Sequence, residues 1–87
     1  DLPHAGARYE IFKLHIAKYF PGLDFSDKDW WRLLGETKLL TPAEIALVVR
    51  KTAEEAFYQN SKQFLNEELV FQPLQVTVRD FIEQRYS

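Results

Sequence analysis

The chain has no cysteine among its 87 residues, so no disulfide framework staples it and no thiolate metal site is available. It has three glycines, Gly6, Gly22 and Gly35, scattered along its length. They form neither a G-x-x-x-x-G-K-[ST] phosphate loop nor a G-x-G-x-x-G turn. Two histidines, His4 and His15, are too few for a histidine metal cluster without carboxylate help. H-E-x-x-H is absent, and no serine, histidine and acid stand in a recognised nucleophile pattern. Neighbouring acids such as Asp27/Asp29, Glu54/Glu55 and Glu67/Glu68 read as helix starts and solvated faces, because nothing nearby would separate their pKa values. Excess charge is lacking too: 11 Lys and Arg against 13 Asp and Glu leave a net charge of −2. A duplex-binding module would carry a basic stripe, so no nucleic-acid partner is expected. No apolar run approaches the length of a membrane span and no signal-peptide pattern opens the chain. The expectation is a cytoplasmic protein with no membrane contact. The opening DLPHAG, without an initiator methionine, reads as a cut through a longer protein.

What is present is a modest core. The apolar fraction is 46%, with seven Phe, four Tyr and two Trp, which is too much for a disordered tail. A chain this short buries only roughly 60–65% of its unfolded surface, so a single domain over residues 1–87 is the limit.

One local pattern recurs. FSDKDW (25–30), LTPAEI (40–45) and VTVRDF (76–81) each run apolar, Ser or Thr, two residues, acid, apolar. The hydroxyl can accept from the backbone N–H three residues on, and the acid can reach back to the cap's own N–H. The flanking apolar pairs, Phe25 with Trp30, Leu40 with Ile45 and Val76 with Phe81, stand where a hydrophobic staple forms. Each pattern predicts a helix start.

A further helix comes first, over Ala7 to Tyr19. Arg8, Ile11, Phe12, His15, Ile16 and Tyr19 share one side, and Pro21-Gly22 ends it. The second helix runs from Asp27 to about Glu36 with Trp30, Leu33, Leu34 and Thr37 inward. The third runs from Pro42 to about Gln59. Ile45, Val48, Val49, Thr52, Ala53 and Ala56 face inward there, and Arg50, Lys51, Glu54 and Glu55 outward. The last covers Val78 to Tyr86. Between residues 60 and 76 the pattern fits an extension of the third helix, a short separate helix, or a brief strand over Leu69 to Phe71. Pro73 is expected to stop any helix there, while Phe64, Leu65, Leu69 and Phe71 pack back on the bundle. The fold class is all-α, a small four-helix bundle with an irregular segment before the last helix.

Three of these stretches together resemble the small C-terminal helical lid of AAA+ ATPases. LPHAGARYEIFKLH resembles that family's Leu-Pro pair, arginine, apolar pair and histidine, with Leu2, Pro3, Arg8, Ile11, Phe12 and His15 matching. WWRLLGETKLLTPAEI resembles its apolar stretch, threonine, Gly-aromatic pair and Ser-Gly-Ala-Asp-Ile, with Thr37, Thr41, Ala43, Glu44 and Ile45 identical or conservative. VTVRDFIEQ resembles its closing helix. The likeness covers roughly residues 1–58 and 75–86.

That resemblance implies a lid-type bundle beside an upstream α/β nucleotide-binding domain. ATP and Mg would be held mainly by that domain, in an ATP-hydrolysing parent that forms a ring, usually a hexamer, with neighbouring subunits. The phosphate loop, metal-binding acids and arginine finger would lie outside this chain, leaving it no catalytic residue or metal of its own. On the same ground His15, Thr41, Pro42 and Ala43 would lie by the adenine and ribose. Pro42 and Leu39 stand where the family has glycines. Direct phosphate contact at the third helix's start is not expected. Pro42 has no N–H, a formed capping box would occupy donors, and Glu44 brings negative charge.

The residues alone allow blander readings. His15 fits a partly buried histidine with one hydrogen-bond partner. Arg8 fits a surface arginine over the first helix, or a partner for an acid across the bundle or at the large-domain junction. Trp31, beside the inner stripe, fits either core packing or an exposed interface anchor. Arg8 and Trp31 are thus the interface candidates. Two other functions remain possible: a free-standing protein-interaction module using Trp31 and residues 60–76, and a helix-turn-helix DNA reader. The outward Glu54 and Glu55 speak against the DNA reader.

Overall fold

The structure, a computed structural model, describes residues 1–60 and 66–86. Four helices follow in order: α1 (Ala5–Tyr19), α2 (Asp27–Glu36), α3 (Pro42–Asn60) and α4 (Glu67–Tyr86). The described residues contain no strand. The central helix α3 packs against α1 on one side and α4 on the other, while α2 touches α1 and α4. This is a small four-helix bundle.

Each helix begins for a local chemical reason. At α1 the cap is His4, whose Nδ1 accepts from the Ala7 N–H at 3.1 Å. Histidine is not among the strong capping residues, so the sequence pattern does not mark this start, and the helix begins two residues earlier than apolar spacing suggests. Gly6 leaves room for this arrangement, since a Cβ there would stand 3.3 Å from the His4 ring. The helix ends in a turn in which the Leu23 N–H donates to the Phe20 carbonyl at 3.0 Å. Pro21 occupies the first central position and Gly22, at φ 82°, the second. That pair is the signature of a type II turn.

At α2, Ser26 Oγ accepts from the Asp29 N–H at 3.2 Å. The reciprocal bond differs from the expected one: the Ser26 N–H donates to Glu67 Oε1, at the start of α4, at 2.8 Å. The box is thus completed across the bundle by the longer acid. The expected staple forms, with the Phe25 and Trp30 rings 5.2 Å apart. Asp24 Oδ1 accepts both the Phe25 N–H at 2.9 Å and the Trp30 indole N–H at 3.0 Å, so the buried indole keeps its polar end satisfied.

The core matches the inner stripes. Phe12 and Ile16 of α1, Trp30 and Leu33 of α2, and Ile45, Val48, Val49, Ala53 and Ala56 of α3 are buried together with Leu40. The two buried threonines spend their hydroxyls on helical carbonyls, Thr37 on Leu33 at 2.9 Å and Thr52 on Val48 at 2.7 Å.

The last helix departs from expectation. It does not begin at Val78 behind a Thr77 cap, and no strand covers Leu69 to Phe71. It begins at Glu67 and runs through Pro73. Its cap is Asn66, whose Oδ1 accepts from the Leu69 N–H at 3.1 Å. Thr77 lies mid-helix, and its hydroxyl donates to the Pro73 carbonyl at 2.8 Å. Val76, meant as half of a staple, is exposed, as is Leu69. The physical reason is burial. Val70, Phe71, Leu74 and Val78 form one apolar stripe against the bundle, and Phe71 packs edge-on against Phe25 at 5.2 Å. The proline removes a single helical hydrogen bond, and that stripe outweighs the loss. Phe64 and Leu65 lie outside the described residues.

Candidate functional site

The first turn of α3 is built from a complete capping box. The Thr41 N–H donates to Glu44 Oε1 at 2.8 Å, and the Glu44 N–H donates to Thr41 Oγ1 at 3.2 Å. Leu40 and Ile45 lie fully buried beneath it. Thr41 and Glu44 are half-buried, whereas Pro42 and Ala43 are exposed between them. Of the donors at this helix start, the Thr41 and Glu44 N–H groups are spent and Pro42 has none, and the surface it offers is the apolar edge of a proline and an alanine.

A residue that no local pattern pointed to completes the arrangement. Arg85, near the end of α4, donates through Nη1 to the Leu39 carbonyl at 2.9 Å and to Glu44 Oε1 at 3.2 Å. It neutralises the charge that Glu44 brings and fixes the turn before α3. The only signal available in the sequence was a basic residue in the last turn of a helix, where it favours its own helix dipole. Its partners lie more than 40 positions away. The turn that Arg85 holds contains Leu39, whose side chain is exposed.

His15 lies half-buried on α1, the helix that packs along α3. It differs from the blander expectation, because its imidazole makes no hydrogen bond to a described residue. Thr41, Pro42 and Ala43 lie together at the start of α3, whereas His15 stands towards the end of α1, the end that packs beside the last turn of α3, where the Phe20 and Phe57 rings are 5.4 Å apart.

Arg8 is not on the surface, and among the described residues it pairs with no acid across the bundle. It is 5% exposed. Its Nη1 donates to the Pro3 carbonyl and its Nη2 to the Leu34 carbonyl, both at 2.8 Å. The second bond places a cation on the last turn of α2, which has no basic residue of its own there. The fork of the guanidinium thus ties the start of α1 to the end of α2, a job its planar geometry suits. The Nε atom is buried without a partner.

Trp31 is not in the core: it is 82% exposed. Trp30, its neighbour, takes the core position and stacks edge-on with Tyr9 at 4.8 Å. Trp31 and Arg8 meet instead around a shallow hollow of about 280 Å³, lined also by Ala5, Leu34, Gly35 and Lys38. The interface candidates therefore come together, at a place distinct from the α3 start.

Among the described residues no group of three or more His, Asp or Glu could hold a metal ion. None of their helices is long and apolar enough to cross a membrane. Compared with protein-family models, with curated proteins and with solved structures, the chain has no match.

Proposed function

We propose that this chain is the helical lid of an AAA+ ATPase, covering the base side of a nucleotide whose phosphates and Mg²⁺ are held by an upstream α/β domain. The observation that carries the reading is the construction of the α3 start. Its polar groups are turned inward into the Thr41–Glu44 box and the Arg85 contact, and Pro42 and Ala43 are left as an exposed apolar edge. Such an edge suits van der Waals contact with a purine and ribose and is unsuited to phosphate. The half-buried His15, its ring nitrogens uncommitted within the described chain, adds a group able to stack on or hydrogen-bond a base. The resemblance of the LPHAGARYEIFKLH, WWRLLGETKLLTPAEI and VTVRDFIEQ stretches to AAA+ lids supports the same reading.

In this arrangement the chain supplies no reacting group. Its role is to close over the bound nucleotide and carry the resulting rigid-body movement to neighbouring subunits of a ring. The polar ties, with Arg8 and Arg85 each joining two helices, support movement of the bundle as one piece.

The division of labour has a direct test. ATP titrated into the isolated chain, followed by backbone amide shifts, is expected to give no saturable binding at or below millimolar concentration. The intact polypeptide is expected to carry a phosphate loop roughly 150–200 residues upstream, the size of one such domain. Tight binding by the isolated chain, or an intact polypeptide without that loop, contradicts the proposal.

A further inference from the structure

The hollow formed by Ala5, Arg8, Trp31, Leu34, Gly35 and Lys38 combines two independent oddities. Its wall is a tryptophan 82% exposed, in a bundle that has buried its other tryptophan. Its floor borders an arginine that is 5% exposed and has no carboxylate partner among the described residues. A buried charge is ordinarily paired, and here only backbone carbonyls neutralise it. The two charged residues of the lining, Arg8 and Lys38, are both cationic, and no acid lines the hollow. The chain as a whole carries a net charge of −2, so this is a local reversal of sign. The nearest acid in sequence, Glu36, is engaged elsewhere, accepting from Gln75 at 2.7 Å and from Arg79 at 3.1 Å.

We infer that the hollow docks a segment of a partner protein that presents one apolar side chain beside one carboxylate. The apolar side chain lies against Trp31 and Leu34, and the carboxylate meets Lys38 in the field of Arg8. Size and chemistry select this occupant. At about 280 Å³ the hollow falls just short of the usual range for a small-molecule pocket and suits a single anchoring side chain. Tryptophan is among the residue types enriched at such contacts. A phosphate or nucleic-acid backbone is disfavoured because it needs several free donors. Arg8 is 5% exposed with two of its five N–H donors held on carbonyls, so Lys38 is the one exposed cation of the lining. The charge asymmetry supplies selectivity for an acid over a base at the rim. The inference does not rest on the nucleotide reading, and its test contains no nucleotide.

The probes are two pools of synthetic decapeptides in a Ser/Gly background, one with a central Leu flanked by Glu, the other identical with Lys in place of Glu. Binding is read from the Trp31 indole and Gly35 amide shifts. The Glu pool is expected to shift both, and the Lys pool neither. Trp31→Ser should weaken binding at least tenfold. Gly35→Leu should do the same by filling open space, since a Cβ at Gly35 meets nothing within 4 Å, while helix propensity keeps that variant folded. Lys38→Glu should reverse the preference toward the Lys pool. Equal binding of the two pools, binding of neither, or an unchanged preference in Lys38→Glu overturns the proposal.

Discussion

At the scale of single residues, polar side chains in this bundle act mainly on the backbone ends of helices. Arg8 shows the type. It occupies a position in the apolar stripe of α1, yet its head joins two carbonyls, at Pro3 and Leu34. Replacing it with methionine would keep the stem's packing and orphan both acceptors, at a cost of about 2 kcal/mol in urea unfolding. Arg8→Lys should recover little, because one ammonium cannot reproduce the fork. Thr41→Ala removes one arm of the α3 box and should lower stability by about 1 kcal/mol. These sites differ in how far the sequence revealed them. The Thr41–Glu44 box is a short-range motif and was fully legible. The burial of Arg8 and the exposure of Trp31 were not, because helical spacing gives a direction to each side chain without saying which neighbour fills the space beside it. Trp30 and Trp31 compete for one core position. The deciding bond, from the Trp30 indole to Asp24 at 3.0 Å, depends on the turn before α2.

At the scale of elements, α2 and α3 were readable almost to the residue, because each has both a cap and an apolar stripe. The last helix departs from its own local signals. VTVRDF satisfies the pattern of a helix start, and Pro73 three residues before it looks like a stop. Both signals are local, and the stripe of Val70, Phe71, Leu74 and Val78 overrides them by burying against α2 and α3. A proline in the interior remains a cost. Pro73→Ala should restore a helical N–H and raise stability by roughly 1–3 kcal/mol, read as an increased midpoint in urea. A lower midpoint would mean that the ring itself packs more favourably than the bond it removes. The pairing of Glu36 with Gln75 and with Arg79, at 2.7 and 3.1 Å, fastens the middle of α4 to the end of α2. Glu36→Ala should therefore speed amide exchange in α4 selectively, leaving α1 and α3 at wild-type protection.

At the scale of the whole molecule, α4 is clasped at three levels: Glu67 to Ser26 at its start, Gln75 and Arg79 to Glu36 in its middle, and Arg85 to Glu44 and Leu39 at its end. Together with the buried Arg8 tie between α1 and α2, these contacts join every helix to another by polar bonds. A bundle so joined suits the rigid-body movement that the proposed lid role calls for. It also presents two separate faces, the apolar edge at Pro42 and Ala43 and the hollow beside Trp31, so the proposed nucleotide contact and the proposed docking would use different surfaces. Photolabelling of the intact polypeptide with an ATP analogue carrying an azide on the adenine ring tests the lid assignment most directly. The label is expected on peptides of this chain that contain His15 or Pro42–Ala43, displaced by unmodified ATP. Label confined to other regions of the polypeptide, with none recovered on these two peptides, would contradict it.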